Sequence, residues 1–233
     1  MNDDHFPGCW TVSRLRRILG RVILTRLIIV RHGETAWNEQ GKLQGQADSA
    51  LNARGIIQGK ALAARLSPCS FGALYSSDLG RARQTAELIA AASGHKILTD
   101  GRLRERHLGI FQGLTWAEVE QAYPGEYERF LTGEVDYVVP EGESFSQSSI
   151  RMMGCLEELA RQHAGQQIVI VSHGGVLGAV LRHVLGIIPD TRHRFKRFNG
   201  SWNVFTFENG AWFLETWGDI SHLQQTQSLR DEG

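Results

Sequence analysis

Leu27-Ile28-Ile29-Val30-Arg31-His32-Gly33-Glu34 runs from four apolar residues into a charged turn broken by glycine. A short β-branched run of this kind reads as a buried strand, and Gly33 ends it. Arg31 and His32 then fall at the carboxyl end of a strand, where open α/β sheets bind their ligands. A neutral imidazole is a nucleophile toward phosphorus, and a neighbouring guanidinium can hold two phosphate oxygens at once. Far downstream, Ile168-Val169-Ile170-Val171 leads through Ser172 into His173-Gly174. Two strand-end histidines predict one site built from two ends of a single sheet.

Outward from these runs the chain alternates strand and helix. Asn52 predicts a cap for a helix over about 53–66, with Ile56, Ile57, Leu62 and Leu66 as apolar positions. Ala73-Leu74-Tyr75 reads as a strand, followed by a helix over about 79–92. Ile97-Leu98 reads as a short strand. Thr115 caps a short helix that Pro124-Gly125 is expected to stop at Tyr123. Residues 144–163 predict a longer helix, and 175–185 the helix after the second core strand. Residues 203–207 and 212–216 alternate around Asn209-Gly210, a hairpin signal. The expected fold is a three-layer α/β/α sandwich with a mostly parallel central sheet. Its expected extent is 24–223, between an N-terminal extension at 1–23 and a polar tail at 224–233.

The 233 residues carry no formal net charge, which gives no global case for nucleic acid. Cys9, Cys69 and Cys155 form no Cys-x-x-Cys pair, so neither a disulfide framework nor a zinc site is supported. Val12, Leu15, Ile18, Leu19, Val22 and Ile23 recur at helical spacing among Arg14, Arg16, Arg17 and Arg21. Such a segment suits a membrane surface, but arginines interrupt it too often for a secretory signal. It reads as a non-catalytic appendage, and no stretch approaches the ~20 apolar residues of a spanning helix. A cytoplasmic location is expected, without stable membrane insertion.

Four strand ends or loops offer groups suited to a phosphate. They carry Arg31 and His32; Ser77, Asp78 and Arg81; Glu105; and His173 with the Gly174 amide at a helix start. Helix N-termini favour anions through unpaired N–H groups. Arg83 reads as a solvated helix charge. Glu141 and Glu143, flanking Gly142, read as loop charges or a cap for the next helix.

Leu27–Asn38, reading LIIVRHGETAWN, resembles the start of the histidine phosphatase superfamily, the phosphoglycerate-mutase-like proteins. The resemblance continues at Ser76–Ala82, at Leu103-Arg104-Glu105, at Pro140-Glu141-Gly142-Glu143-Ser144 and at Val171–Gly175. It implies a phosphoglycerate-mutase-like fold and a set of roles. His32 would be the nucleophile, forming a phosphohistidine. Arg31, Arg81 and His173 would clamp the phosphate. Glu105 would protonate the leaving oxygen, then serve as base for water. Asn38 and Gln44 would line the substrate pocket, and Gly174 would add a phosphate contact. No metal is implied, since arginine and histidine supply the positive charge.

The same resemblance leaves phosphatase and mutase open. The stretch from Glu105 to His173 is short, and Arg129 is the one arginine between Tyr127 and Val139. That favours the compact phosphatase branch, a phosphomonoester hydrolase for small phosphorylated metabolites. Glu105-Arg106-His107 keeps the alternative, a phosphoglycerate mutase with 2,3-bisphosphoglycerate as cofactor. A non-catalytic phosphate-binding or interaction protein is the second alternative. Trp116, Tyr123, Tyr127, Phe130 and Tyr137 are available to line a lid, and the hairpin offers an edge for a homodimer.

Overall fold

A computed structural model of the chain describes residues 24–187 and 195–226. The basic segment before Leu24 and the tail beyond Thr226 lie outside the described residues. Six strands form one sheet: β1 (Leu24–Arg31), β2 (Ala73–Ser76), β3 (Ile97–Thr99), β4 (Gln167–Ser172), β5 (Trp202–Glu208) and β6 (Ala211–Asp219). Their order is β3-β2-β4-β1-β5-β6. The first four are parallel, and β5 and β6 are antiparallel additions.

The helices are α1 (Ala36–Glu39), α2 (Ala53–Leu66), α3 (Gly80–Ser93), α4 (Trp116–Ala122), α5 (Pro124–Leu131), α6 (Phe145–Gln162) and α7 (Gly174–Leu185). Successive strand residues point to opposite faces, and both faces here are covered. Ile28, Val30, Val169 and Val171 pack against Leu62 of α2 and Ala82, Ala86 and Ile89 of α3. Leu27, Ile29, Ile168 and Ile170 pack against Met152 and Leu156 of α6 and Val176, Leu177 and Val180 of α7. The result is the expected three-layer sandwich.

Chain order positions the site. From β1 the chain crosses to β2 along the α2 face, then returns through α6 to insert β4 beside β1. The carboxyl ends of β1 and β4 therefore flank the switch point, and Arg31 lies opposite Ser172. Phe111, Val119, Tyr137 and Val139 form a separate small core under α4 and α5, above that crevice.

The helix capped by Thr115 ends as expected, closing at Ala122 with Tyr123 as its C-cap; Pro124 then opens α5, in whose first turn its missing N–H costs nothing. One expectation needs correction. Trp202–Phe207 is buried throughout rather than on one face, because β5 lies between β1 and β6 under both helical layers. The hairpin turn itself is as read, with Asn209 and Gly210 both at positive φ.

Candidate active site

His32 follows the last residue of β1 and is almost fully buried. Its Nδ1 lies 2.8 Å from the Gly33 carbonyl, which can only accept, so Nδ1 carries the proton. Nε2 is left as a lone pair, and Arg81 Nε–H donates into it at 3.3 Å. Burial, then the charges of Arg81 and Arg31, push the imidazole well below its ordinary value, against the opposing Gly33 bond. The ring is therefore neutral near pH 7 with the nucleophilic nitrogen defined.

Arg81, on the first turn of α3, is also buried. Its Nη1 donates to Ala47 O at 2.9 Å and Asp48 Oδ1 at 3.2 Å, and its Nη2 to Gly45 O at 2.7 Å. Of five guanidinium N–H groups, the loop and His32 take four. Asp48 additionally accepts the Gly80 and Arg81 backbone N–H groups, capping a helix whose own N-cap residue is Leu79. Nothing in the sequence marks Asp48 for this work; it sits about thirty residues away in a loop without a motif.

His173 caps β4 and lies with its ring centroid 5.2 Å from that of His32. Its Nε2 is 2.8 Å from Ser77 Oγ, while buried Nδ1 has no protein partner. Burial, then Arg81, His32 and Arg31, hold this imidazole well below its ordinary value too. The positive charge beside His32 consequently rests on the two arginines. Arg31 Nη1 donates to the Arg197 carbonyl, and Arg197 Nη1 to the Gly174 carbonyl at 3.2 Å.

Glu105 reaches the crevice from an irregular segment after β3. Its carboxylate accepts Arg106 N–H at 2.8 Å and Gly175 N–H at 2.7 Å. The backbone amide aimed at a site carboxylate is thus that of Gly175, one residue beyond Gly174. A Cβ on Gly175 would fall 1.8 Å from Glu105 Oε1, so only glycine leaves room for this arrangement.

A cavity of about 470 Å³ opens over these groups. Arg31, His32, Glu105 and Gly175 line one part, and Trp116 and Phe130 line the lid side. Arg81 and His173 are buried beneath it. Gln44 also lines it, with a buried Oε1 that has no protein partner. Asn38 lines it as well, but its Oδ1 accepts the Thr35 N–H and hydroxyl in a capping box and Asn199 Nδ2. Its carbonyl is therefore already engaged. Sequence reasoning missed Lys42, Arg106, Arg182 and Arg197, which also line the cavity. Arg106 alone stood in a recognisable motif. Arg83 pairs with Glu87 on the exposed face of α3, away from the site.

A buried neutral histidine between two arginines, facing a carboxylate across one cavity, defines a site for phosphoryl chemistry. The histidine phosphatase superfamily (branch 1) matches residues 27–220, and the chain belongs to that family. It is an enzyme of phosphomonoester chemistry. It is 40% identical over 208 residues to phosphoglycerate mutase-like protein 4 of Arabidopsis thaliana, covering 88% of this chain and 89% of that one. It is 39% identical over 210 residues to a metal-independent phosphoserine phosphatase of the same plant, covering 89% and 87%. A solved phosphoserine phosphatase of Entamoeba histolytica, in complex with 3-phosphoglyceric acid, superposes with TM-score 0.77 at 32% identity. That match covers 85% of this chain and 99% of the other.

Among the described residues no group of three or more His, Cys, Asp or Glu side chains could hold a metal ion. No helix among them is long and apolar enough to cross a membrane.

Proposed function

We propose that the chain hydrolyses small phosphomonoesters through a phosphohistidine at His32, using no metal. The observation that carries this reading is the fixed tautomer: Nδ1–H is tied to Gly33 O, and Nε2 presents its lone pair. A substrate phosphate entering between Arg31 and His32 takes over the Arg81 donor that now rests on Nε2. Nε2 then forms the P–N bond as the P–O bond breaks. Glu105, having taken up the proton that a monoanionic phosphomonoester brings into the site, delivers it to the departing alkoxide oxygen. A water next gives its proton to the Glu105 carboxylate and its oxygen to phosphorus, and the P–N bond breaks. Arg31 and Arg81 balance the charge on the equatorial oxygens. Gln44 offers an acceptor to the alcohol portion, Asn38 lines the wall beside it, and the Gly174 amide at the start of α7 adds a phosphate contact.

The expected partner is a small phosphorylated metabolite, in the cytoplasm, with the catalytic unit spanning 24–223. The β6 edge is the element available for a homodimer. Similarity to phosphoserine phosphatases puts phosphoserine first among the substrates to try. The test is incubation in EDTA with phosphoserine and other phosphomonoesters, and separately with 3-phosphoglycerate plus a trace of 2,3-bisphosphoglycerate. His32→Ala is the control. Phosphate release that needs His32 supports the reading. Faster formation of 2-phosphoglycerate makes the protein a mutase instead, and neither activity leaves a phosphate-binding protein.

A further inference from the structure

Glu143 stands in Pro140-Glu141-Gly142-Glu143-Ser144, a stretch whose role the site above does not use. Ser144 and Gln147 cap α6 reciprocally, so capping does not explain Glu143. The Glu143 carboxylate instead grips Arg151 of α6 at both ends, Oε1 to Nε at 2.9 Å and Oε2 to Nη2 at 2.7 Å. The same Oε2 accepts the His107 N–H at 2.9 Å, and the Glu143 carbonyl accepts Arg106 Nε at 2.9 Å. Arg151 spends its remaining donors on one strip of backbone. Nη1 reaches Arg102 O at 2.8 Å and Arg104 O at 3.0 Å, and Nη2 reaches Glu105 O at 3.2 Å. Gln46 Nε2 adds a bond to Glu105 O at 3.1 Å.

The part of this backbone that carries Glu105, Arg104–Leu108, belongs to no helix or strand. Sheet ladders therefore do not fix Glu105, whereas His32 and His173 each directly follow the last ladder residue of β1 and β4. Two bidentate charged side chains stand in for the ladder, and such charge-assisted forks are directional as well as strong. A proton donor must sit within hydrogen-bond reach of the leaving oxygen, so its backbone anchor bears directly on rate.

We propose that Glu143 and Arg151 are positioning residues that hold the Glu105 backbone in register with His32. The proposal rests on the reading of Glu105 as proton donor. It distinguishes itself from a merely structural role by where activity is lost. In the transfer to His32 a poor leaving group needs the proton and an activated aryl leaving group does not, whereas the later attack of water needs Glu105 with either substrate.

The experiment compares an alkyl phosphate with an activated aryl phosphate for the parent, Arg151→Lys, Glu143→Gln, Glu105→Gln and the double variant Glu105→Gln/Arg151→Lys. Arg151→Lys keeps the charge but cannot make the fork. It is expected to lower kcat/KM, which reports the transfer to His32, about 10- to 100-fold for the alkyl substrate and within about 3-fold for the aryl one, while the hydrolysis of the phosphohistidine, for which Glu105 is the base, slows alike with both. Glu143→Gln, close in shape, should show the same pattern more weakly. It also serves as the readout if Arg151→Lys does not fold. Added to Glu105→Gln, Arg151→Lys should cost nothing further with the alkyl substrate, because the group it positions is already gone. Equal losses of kcat/KM on both substrates, an additive loss in the double variant, or an unchanged alkyl kcat/KM overturns the positioning role. If Glu105→Gln itself shows no dependence on the leaving group, the proton-donor reading fails. If Glu105→Gln shows that dependence while Arg151→Lys and Glu143→Gln do not, the positioning proposal alone fails.

Discussion

Arg81 Nε–H points into the Nε2 lone pair of His32 across 3.3 Å. The contact is between a cation and a base that must stay unprotonated, and it works with burial to keep it so. In the free protein, histidine NMR should therefore show His32 as the neutral Nδ1–H tautomer at neutral pH. It should remain neutral well below pH 6.5, its ordinary value. Arg81→Ala removes one of the depressing charges and should move the titration upward toward that value. An Nε2–H tautomer, or titration at the ordinary value in the parent, would show that the nucleophile is not pre-set.

Gly175 and Glu105 form the second tight relationship of the site. A methyl at Gly175 meets only the end of the Glu105 side chain, 1.8 Å from Oε1, so the carboxylate moves and the fold does not. Gly175→Ala is expected to leave the melting temperature close to the parent's. It should lower kcat/KM for alkyl phosphates about 10- to 100-fold, by the usual penalty for a misplaced catalytic group. Aryl phosphates with good leaving groups should suffer much less. Steady-state kinetics on both substrates, with a thermal melt, checks it. A large stability loss with uniform activity loss would place the clash in the backbone instead.

Asp48 joins stability to the clamp. Its carboxylate caps α3 from outside the helix and holds Arg81 Nη1 at 3.2 Å. Asp48→Ala should cost about 0.5–2 kcal/mol, the range for losing an N-cap. It should also weaken binding of inorganic phosphate, because the guanidinium loses one of its fixed partners. Urea unfolding and phosphate titration separate the two effects. Asp48→Asn keeps an acceptor and should recover part of both. Loss of stability with phosphate affinity untouched would confine Asp48 to the helix.

These residues mark where the sequence was readable and where it was not. Leu27–Val30 and Ile168–Val171 announced themselves, because a parallel strand buried on both faces must be continuously apolar. Asn209-Gly210 was readable because the turn needs two positive-φ residues. The histidines inherited their legibility from the strands they follow. Pro124 was readable as the stop of α4, but not as the start of α5, because proline ends one helix and opens another with the same residue. Asp48, Arg151 and Arg197 were silent for a different reason. Each acts across the fold through a loop or helix whose local pattern says nothing about the strand end it reaches. Glu143 lay in plain view within its motif, yet only the bond to Arg151 separates a loop charge from a fastening point.

His222 offers the clearest pH test of stability. Its Nε2 is 3.0 Å from Gly200 O and its Nδ1 3.1 Å from Arg65 Nη1, with Asp219 on the far side of Arg65. Burial first, then the Arg65 charge, pushes the imidazole down to about 4, against the Gly200 bond and Asp219. The folded value thus lies below the ordinary 6.5. Above 6.5 the ring is neutral in both states and adds no pH dependence. Below it, the unfolded chain takes up the proton first, so stability falls as pH drops from 6.5 toward 4 and levels off beyond. His32 and His173, also held low, act in the same direction. The diagnostic quantity is therefore the difference between the parent and His222→Gln, which keeps a donor for Gly200 O but does not titrate. Urea midpoints at about pH 7 and about pH 4.5 should converge in the variant relative to the parent. Parallel curves for the two proteins would mean that His222 protonates equally readily folded and unfolded, and that its contact with Arg65 does not penalise the charged ring.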